Sequence, residues 1–486
     1  MPENDYSGPG VFRKLLLGAA MIIVAAASAT AVAAFNELDK VTEAFTEGGH
    51  LDLGIELAET DPGEPQTLMV IGSDRRAKTS KDVQSGFTGG ARSDTVILVR
   101  LDPEKGATAL LSLPRDLKVK IPGAGTDKLN AAYSIGGPKL TLKTVKLLTG
   151  LRINHVINVD FKGFREAVNE IDCVFMDVDR RYFNDNSGPG PDYAVIDVKQ
   201  GYQRLCGQSS LDYVRYRHED SDIVRAARQQ EFLRQAKAQV GALELFNNRD
   251  RLLKIFSDHV DSDIRHKGTV LKLLKLAVAS AKHPIREVHF KGEIGASFVT
   301  ASDESVKEVT DEFLGVRATK GPRGELKPKR KKRRKRARGD DGLESAPDAG
   351  REQAVKAALA KGAKIPIFYP RKRTKAALFA GDPRVYAIRS PDGKVYSSYR
   401  FVIKVGRVGE YYGLQGTAWK DPPILNDPSE KRTIGGREYE LFYDGDRLRL
   451  VAWRTDEAVY WVSNTLLLTL TEPQMLGIAR SARMLG

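Results

Sequence analysis

Between residues 67 and 178 short apolar, β-branched runs alternate with segments patterned for helices, and this alternation limits the fold more than any other feature of the chain. The strand-like runs cover residues 67–71, 95–101, 107–113, 156–160 and 174–178, each bounded by turn residues. Asp102-Pro103-Glu104-Lys105-Gly106 offers a hairpin connection between the second and third. Helices are expected over residues 128–133, 138–148, 162–170, 208–213 and 223–245, with Pro138 acceptable in a first turn. Helical patterning continues over 252–276, broken by turn-like polar residues, a strand begins near Val288 and Phe290, and residues 305–314 close the series as a helix. The alternation indicates an α/β layered domain over residues 66–317, with a mixed rather than wholly parallel central sheet.

A chain of 486 residues is too long for one compact core, so two or three folded units are expected. Residues 15–35 carry no charge for twenty-one positions, which matches the roughly 20 apolar residues a bilayer core requires of a helix. Arg13 and Lys14 precede this run while Glu37 and Asp39 follow it, which places residues 1–14 in the cytoplasm. A cleaved signal peptide is the rival reading, but the run exceeds the usual apolar region of about 7–15 residues, so a retained transmembrane anchor is favoured. The expectation is therefore a single-pass protein of the cell membrane, with a polar stalk over 36–65 and everything beyond it extracytoplasmic.

The formal net charge of +14 resembles a nucleic-acid signal until its distribution is considered. Ten of those charges fall within residues 327–338, so the folded parts are only mildly basic and no nucleic-acid partner is expected. Residues 318–362 read as a disordered basic linker. It either touches an anionic headgroup or wall polymer, or serves as a spacer extended by self-repulsion. Residues 363–486 form a small α+β domain, with β-like runs at 385–388, 400–405, 439–443, 448–453 and 459–463. Asp444-Gly445 marks a hairpin, and a terminal helix covers 474–484. Trp419, Trp453, Trp461 and Tyr460 are read as core, a sugar-stacking surface being the alternative. Cys173 and Cys206 are the sole cysteines. An oxidising exterior permits a bridge between them, two unrelated buried thiols being the other reading. Scattered histidines argue against a zinc site.

The chemistry lies in an array of arginines and aspartates. In chain order it runs Gly72-Ser73-Asp74-Arg75, Ala91-Arg92-Ser93-Asp94-Thr95, Leu113-Pro114-Arg115-Asp116, Tyr213-Val214-Arg215-Tyr216-Arg217 and Asp222 through Gln229. Guanidinium forks suit phosphate or pyrophosphate oxygens, and interspersed carboxylates suit Mg²⁺, a hard cation that shares oxygens with substrate phosphates. On the helix over 223–245, Arg225 and Gln229 stand four residues apart on one face with Arg228 beside them. An extended segment through Arg215 and Arg217 would aim both at one side. The combination indicates phosphoryl chemistry.

With these fragments in this order, joined by Asp127-Lys128-Leu129-Asn130-Ala131-Ala132-Tyr133 and Leu211-Asp212, residues 67–242 resemble the LytR-CpsA-Psr family of membrane-anchored glycopolymer transferases. The resemblance implies a three-layer α/β/α fold. It also implies a polyprenyl-pyrophosphate-linked glycan as donor, peptidoglycan as acceptor, and a phosphotransferase that moves the glycan phosphate between them with Mg²⁺. Asp74 and Asp94 match the family's metal-binding carboxylates. Arg75, Arg92, Arg115, Lys128, Arg215, Arg217, Arg225 and Gln229 fall at pyrophosphate-facing positions. Asp94, Arg115, Arg217 and Asp222 are the catalytic candidates; Asp116 is placed to hold Arg115, and Asp222 to orient an arginine or activate the acceptor hydroxyl. Apart from the transferase, the same residues fit a lipid-pyrophosphate pyrophosphatase, or a non-catalytic envelope-binding or regulatory protein. One departure is plain: where the family has paired glycines, this chain reads Ile171-Asp172-Cys173, and a bridge from Cys173 to Cys206 would then serve in place of glycine packing.

Overall fold

The computed structural model describes residues 31–61, 63–73, 93–102, 104, 107–187, 194–216, 222–240, 247–281, 285–290, 292–295, 297–315, 342–345, 348–405 and 410–485. They fall into two compact units. The first comprises Met1–Val174, Asn184–Ile196 and Leu205–Ala318; the second comprises Phe175–Phe183, Asp197–Arg204 and Thr319–Gly486.

In the first unit the opening strands are β1 (Gly49–His50), β2 (Gln66–Ser73), β3 (Ser93–Asp102) and β4 (Ala107–Leu113), followed by the small hairpin of β5 (Lys118–Ile121) and β6 (Gly125–Lys128). Next in the chain come β7 (His155–Val159), then β8 (Val174–Val178), β9 (Tyr182–Asn184), β10 (Ile196–Val198) and β11 (Gly201–Leu205), which belong largely to the second unit, and then β12 (Val260–Ser262) and β13 (Ile285–Val288) of the first. Seven of these make the central sheet in the order β1-β12-β7-β2-β3-β4-β13. The sheet is mixed, as expected: β3 is antiparallel to β2 and β4, whereas β7 runs parallel to β2 and β13 parallel to β4.

The helices of this unit are α1 (Ala31–Glu47), α2 (Leu129–Thr149), α3 (Phe161–Glu170), α4 (Gly207–Arg215), α5 (Asp222–Gln239), α6 (Arg249–His259), α7 (Lys267–Ala281) and α8 (Asp303–Phe313). Because strand side chains alternate between faces, β2, which is buried at every position, must be covered on both sides. Met69, Ile71, Val96, Leu98 and Leu111 share a core with Leu129, Leu142 and Val145 of α2 and Val309 and Phe313 of α8. The alternate residues Leu68, Val70, Ile97 and Val99 are also buried, on the face where α5 and α7 pack against β4 and β3. Each such aliphatic side chain contributes about 1.5–3 kcal/mol by leaving water.

The two helices expected over 128–133 and 138–148 are the two halves of α2, which is broken at Gly136 and Gly137, where φ and ψ leave the helical region just before Pro138. The break expected within the helical run over 252–276 contains a short strand, β12, whose three residues pair with β7.

The transmembrane expectation is corrected. Among the described residues no helix is long and apolar enough to cross a membrane. Residues 15–30 of the expected span lie outside the described residues. Residues 31–35 begin α1, which continues through Glu37, Asp39, Lys40, Glu43 and Glu47, so its uncharged stretch is too short for a bilayer. The single-pass placement and the compartment deduced from it fall with that helix. Nor is the start of the expected stalk a free tether. Val41, Ala44 and Phe45 of α1 are buried, the Phe45 ring lies 4.3 Å from that of Phe256 in α6, and Lys40 pairs with Asp250 at 3.0 Å.

Cys173 and Cys206 form a disulfide. Asp172 and Cys173 both adopt left-handed backbone, with φ of 55° and 68°, the region that favours glycine. The chain thus keeps a glycine-type turn without glycine. Asp172→Gly is expected to raise unfolding stability by about 1 kcal/mol, read as a shift in the chemical-denaturation midpoint. A lower midpoint would show that contacts of the Asp172 side chain outweigh the backbone strain.

The second unit is an α+β domain. Its strands are β14 (Leu343–Ser345), β15 (Ile367–Pro370), β16 (Lys372–Thr374), β17 (Leu378–Phe379), β18 (Arg384–Arg389), β19 (Val395–Lys404) and β20 (Tyr411–Thr417). They continue with β21 (Glu430–Ile434), β22 (Arg437–Asp444), β23 (Arg447–Arg454), β24 (Val459–Ser463) and β25 (Ala482–Leu485). Eight of them form an antiparallel sheet in the order β17-β19-β20-β24-β23-β22-β21, with β18 also on β19. The expected Asp444-Gly445 turn joins β22 to β23, with Gly445 at φ 57°. Helices α9 (Asp348–Ala360) and α10 (Glu472–Ser481) complete the unit. Much of the expected linker lies outside the described residues, but its last part is folded, because Leu343, Ala354 and Ala358 are seated in the core. The terminal helix stops at Ser481, and residues 482–485 pair with β15 instead. Trp453, Trp461 and Tyr460 are at most 1% exposed and Trp419 is 8% exposed, so these rings are core and not a sugar-stacking surface.

The pieces at 175–183 and 197–204 are integral to this unit. Asp177 sits in a buried cluster. Arg400, fully buried, donates to Asp177 at 3.0–3.1 Å and to Ser463 Oγ at 2.8 Å, and Trp461 Nε1 donates to the same carboxylate at 3.1 Å. Beside it Tyr202 packs edge-on against Trp461 and accepts from the Ile424 amide, while Phe175 packs against Trp419.

Candidate functional site

Strands β2 and β3 end together: a bulge between Gly72 and Ser73 sets Ser73 opposite Ser93. Both serines are buried, and neither hydroxyl has a hydrogen-bond partner among the described residues. Asp74, Arg75 and Arg92, expected just beyond this sheet end, lie outside the described residues, as does the side chain of Asp94.

At the end of β4 the chain turns through Pro114, and the Leu117 amide donates to the Pro114 carbonyl at 3.2 Å. This turn is fastened to the start of α2, since Asn130 N donates to Arg115 O at 3.0 Å and Leu129 N to Leu117 O at 2.9 Å. Arg115, Asp116 and Lys128 are thereby brought together. The Asp116 carboxylate faces Arg115 Nε at 3.5 Å and Lys128 Nζ at 3.1 Å. Lys128 and Lys118 also lie 5.7 and 5.8 Å from the centre of the Phe298 ring. One carboxylate between two cations leaves the group a net positive charge.

A second group forms where α4 meets α5. The expected extended segment through Arg215 is instead the last turn of α4, so no common strand aims Arg215 and Arg217; the latter lies outside the described residues. Arg215 pairs with Asp212 one turn earlier at 2.6 Å, and Gln208 donates to that same carboxylate at 2.9 Å. On α5, Arg225, Arg228, Gln229 and Gln230 are all at most 3% exposed. Gln229 Nε2 donates to Val214 O at 2.8 Å, and Arg228 donates to Tyr216 O with its guanidinium 5.7 Å from the Tyr213 ring. Gln230 reaches Val288 O at 3.1 Å, and Arg234 pairs with Glu287 at 3.0 Å, both on β13. Asp222 opens this helix, but its side chain is not among those described.

Of the residues expected to meet phosphate, the structure brings Arg115 and Lys128 to one carboxylate, sets Gln229 against the end of α4 that carries Arg215, and buries Arg225 one turn before Gln229 on α5. Because α5 packs on β4, which leads into Arg115, both groups hang from one pair of packed elements. Buried arginines are costly unless their surroundings compensate them, so several on one helix mark a place where charge is needed. The Oε1 atoms of Gln229 and Gln230 are buried without partners among the described residues. Sequence reading assigned no role to Gln230, Arg234, Glu287, Ser73 or Ser93. The available signal was a helix carrying polar residues around its whole circumference at 225, 228, 229, 230, 231 and 234, which a helix with one solvent face has no need of.

The model of the LytR_cpsA_psr family matches residues 24–313. The chain is 31% identical over 228 residues to the polyisoprenyl-teichoic acid–peptidoglycan teichoic acid transferase TagT of Bacillus subtilis, covering 45% of this chain and 67% of that protein. It is 29% identical over 244 residues to TagU of Oceanobacillus iheyensis, covering 48% and 73%. It is 35% identical over 170 residues to the probable cell wall biosynthesis protein LcpB of Corynebacterium glutamicum, covering 34% and 39%. Among solved structures, TagT bound to LI-WTA aligns with 55% of this chain and 98% of its own at 24% identity and a TM-score of 0.41.

Proposed function

The chain belongs to the LytR-CpsA-Psr family, and on that premise we propose that it is a glycopolymer transferase: a phosphotransferase that moves a glycan phosphate from a polyprenyl-pyrophosphate carrier to peptidoglycan. The observation that carries this reading is the coverage of the family match, which spans both cationic groups, together with the relatedness to the teichoic acid transferases TagT and TagU.

In this reading a hydroxyl of the acceptor attacks the glycan-bearing phosphorus, the bond from that phosphorus to the bridging oxygen breaks, and a lipid monophosphate departs. The acceptor's proton leaves to a base, for which Asp222 at the head of α5 is the candidate. Phosphoryl transfer is mainly positioning and charge stabilisation, so cations held on rigid elements suffice for much of it. Arg115, held by Asp116 and by the α2 start, would face the diphosphate from one side. Arg215, Arg225 and Gln229 would face it from the α4–α5 junction, with Arg75, Arg92 and Arg217 joining from their neighbouring positions in the chain. Lys128 would add a compact charge.

The donor chemistry suits Mg²⁺, since the sheet end carries two buried hydroxyl oxygens without described partners and, next to them in sequence, Asp74 and Asp94. Asp74 and Asp94, together with oxygens of the diphosphate, would hold the ion. When bound, the ion would neutralise charge on the departing phosphate.

The test is transfer by the purified full chain from a polyprenyl-diphosphate glycan to peptidoglycan oligomers, followed by mass spectrometry. The expected result is a phosphodiester-linked product that disappears with EDTA and returns with added Mg²⁺. Release of glycan phosphate at an equal rate without acceptor would make the protein a pyrophosphatase instead. Absence of turnover with tight donor binding would make it a binding protein.

A further inference from the structure

We propose that the second unit carries its own phosphate-binding groove, separate from the diphosphate site of the first. A cavity of about 650 Å³ opens between α10, β16, the start of β22 and β25, lined by Lys372, Arg437, Arg480 and Arg483 with Glu472 as its one carboxylate. That carboxylate is already engaged by Arg432, which approaches at 2.9 Å and also pairs with Glu430 at 2.7 Å. Neither Arg437, Arg480 nor Arg483 pairs with a carboxylate among the described residues. A concave surface that gathers this much uncompensated charge raises the local concentration of anions.

Arg437 is held ready for a ligand. Its guanidinium lies 5.2 Å from the ring centre of Phe368 and 5.6 Å from that of Trp453, and its only hydrogen bond in the described structure is a long one of 3.4 Å to the Ala482 carbonyl. Cation–π contacts of this kind restrain the guanidinium while leaving its N–H donors for another acceptor. Arg480 and Arg483 are exposed at the same cavity, where their long side chains can reach an anion held by Arg437. The cations come from a helix and three separate strands around one cavity. A tetrahedral phosphate presents oxygens in several directions, whereas a planar carboxylate presents one edge. The volume exceeds that of a single phosphate, which suits successive phosphodiester groups along a chain.

All three tryptophans of the chain lie in this unit, so their emission reports on it alone, and Trp453 lies directly beneath Arg437. Titration of the full chain with inorganic tripolyphosphate is expected to give a saturable change in tryptophan emission that weakens with added salt. Arg480→Gln with Arg483→Gln should raise the apparent Kd about tenfold or more, as loss of two charge-assisted contacts implies. Both residues are exposed, so the unfolding transition should not move. Arg115→Ala should leave the titration unchanged, which separates this groove from the proposed transferase site whether or not that reading holds. A glycerol-phosphate oligomer should reproduce the response, and neutral dextran should not. No saturable change, or an undiminished one in the double variant, would overturn the groove. An equal response to an oligogalacturonate of matched charge would overturn its assignment to phosphate.

Discussion

Replacing Arg115 with alanine is expected to lower glycan transfer about 10²–10³-fold, the usual cost of removing one preorganised donor from a charge-stabilised transition state. The loss should fall mainly on kcat, because the charge on the departing phosphate grows after the donor has bound. Fold stability should change little. The Arg115 backbone carbonyl keeps its bond from Asn130, and the Asp116 carboxylate that faces the Arg115 side chain keeps Lys128 as a partner. Arg115→Lys keeps the charge but not the fork, and should recover only part of the rate. Initial rates for the three proteins, with thermal unfolding as the control, decide the matter. A wild-type rate for Arg115→Ala would remove this residue from the chemistry.

The second large effect concerns stability. Arg400→Met should destabilise the second unit by about 3–5 kcal/mol, because it strands the Asp177 carboxylate in an interior that no longer holds its counter-charge. Substituting Asp177→Leu in the same chain should recover most of that loss, since a well-packed apolar pair often equals a buried ion pair. Recovery will be incomplete, because Trp461 Nε1 and Ser463 Oγ then lose their partners. Chemical denaturation followed by tryptophan emission reads this unit directly. If both single and double variants unfold at the wild-type midpoint, the buried cluster is not what holds the sheet together.

The α/β class, the mixed sheet and the hairpin between β3 and β4 were legible because strand runs and turn residues alternate cleanly there. The disulfide was legible because no other cysteine competes for either partner. Three other features were not. A charge-free stretch does not say where a helix begins and ends; the part of it that is described, residues 31–35, opens α1, which runs on into acidic residues and packs on α6. Strand β12 was hidden because three residues carry too little periodicity to mark a strand within the break. The role of Asp177 was hidden because its partner Arg400 is 223 positions away, and no local pattern marks such a pairing. In the site, spacing identified Arg225 and Gln229 on one helix face. It could not show that Arg228 and Gln230 are buried as deeply, since that depends on α4 and β13 closing over them.

The three-piece make-up of the second unit has a practical outcome for anyone who cuts this chain. A protease acting within residues 316–341 would sever the backbone yet leave Asp177 and Tyr202 seated among Arg400, Trp419 and Trp461, so the fragments would travel together until denatured. Conversely, a clone beginning at residue 342 would encode a sheet missing its own inner plug, and would emerge from expression as an insoluble torso.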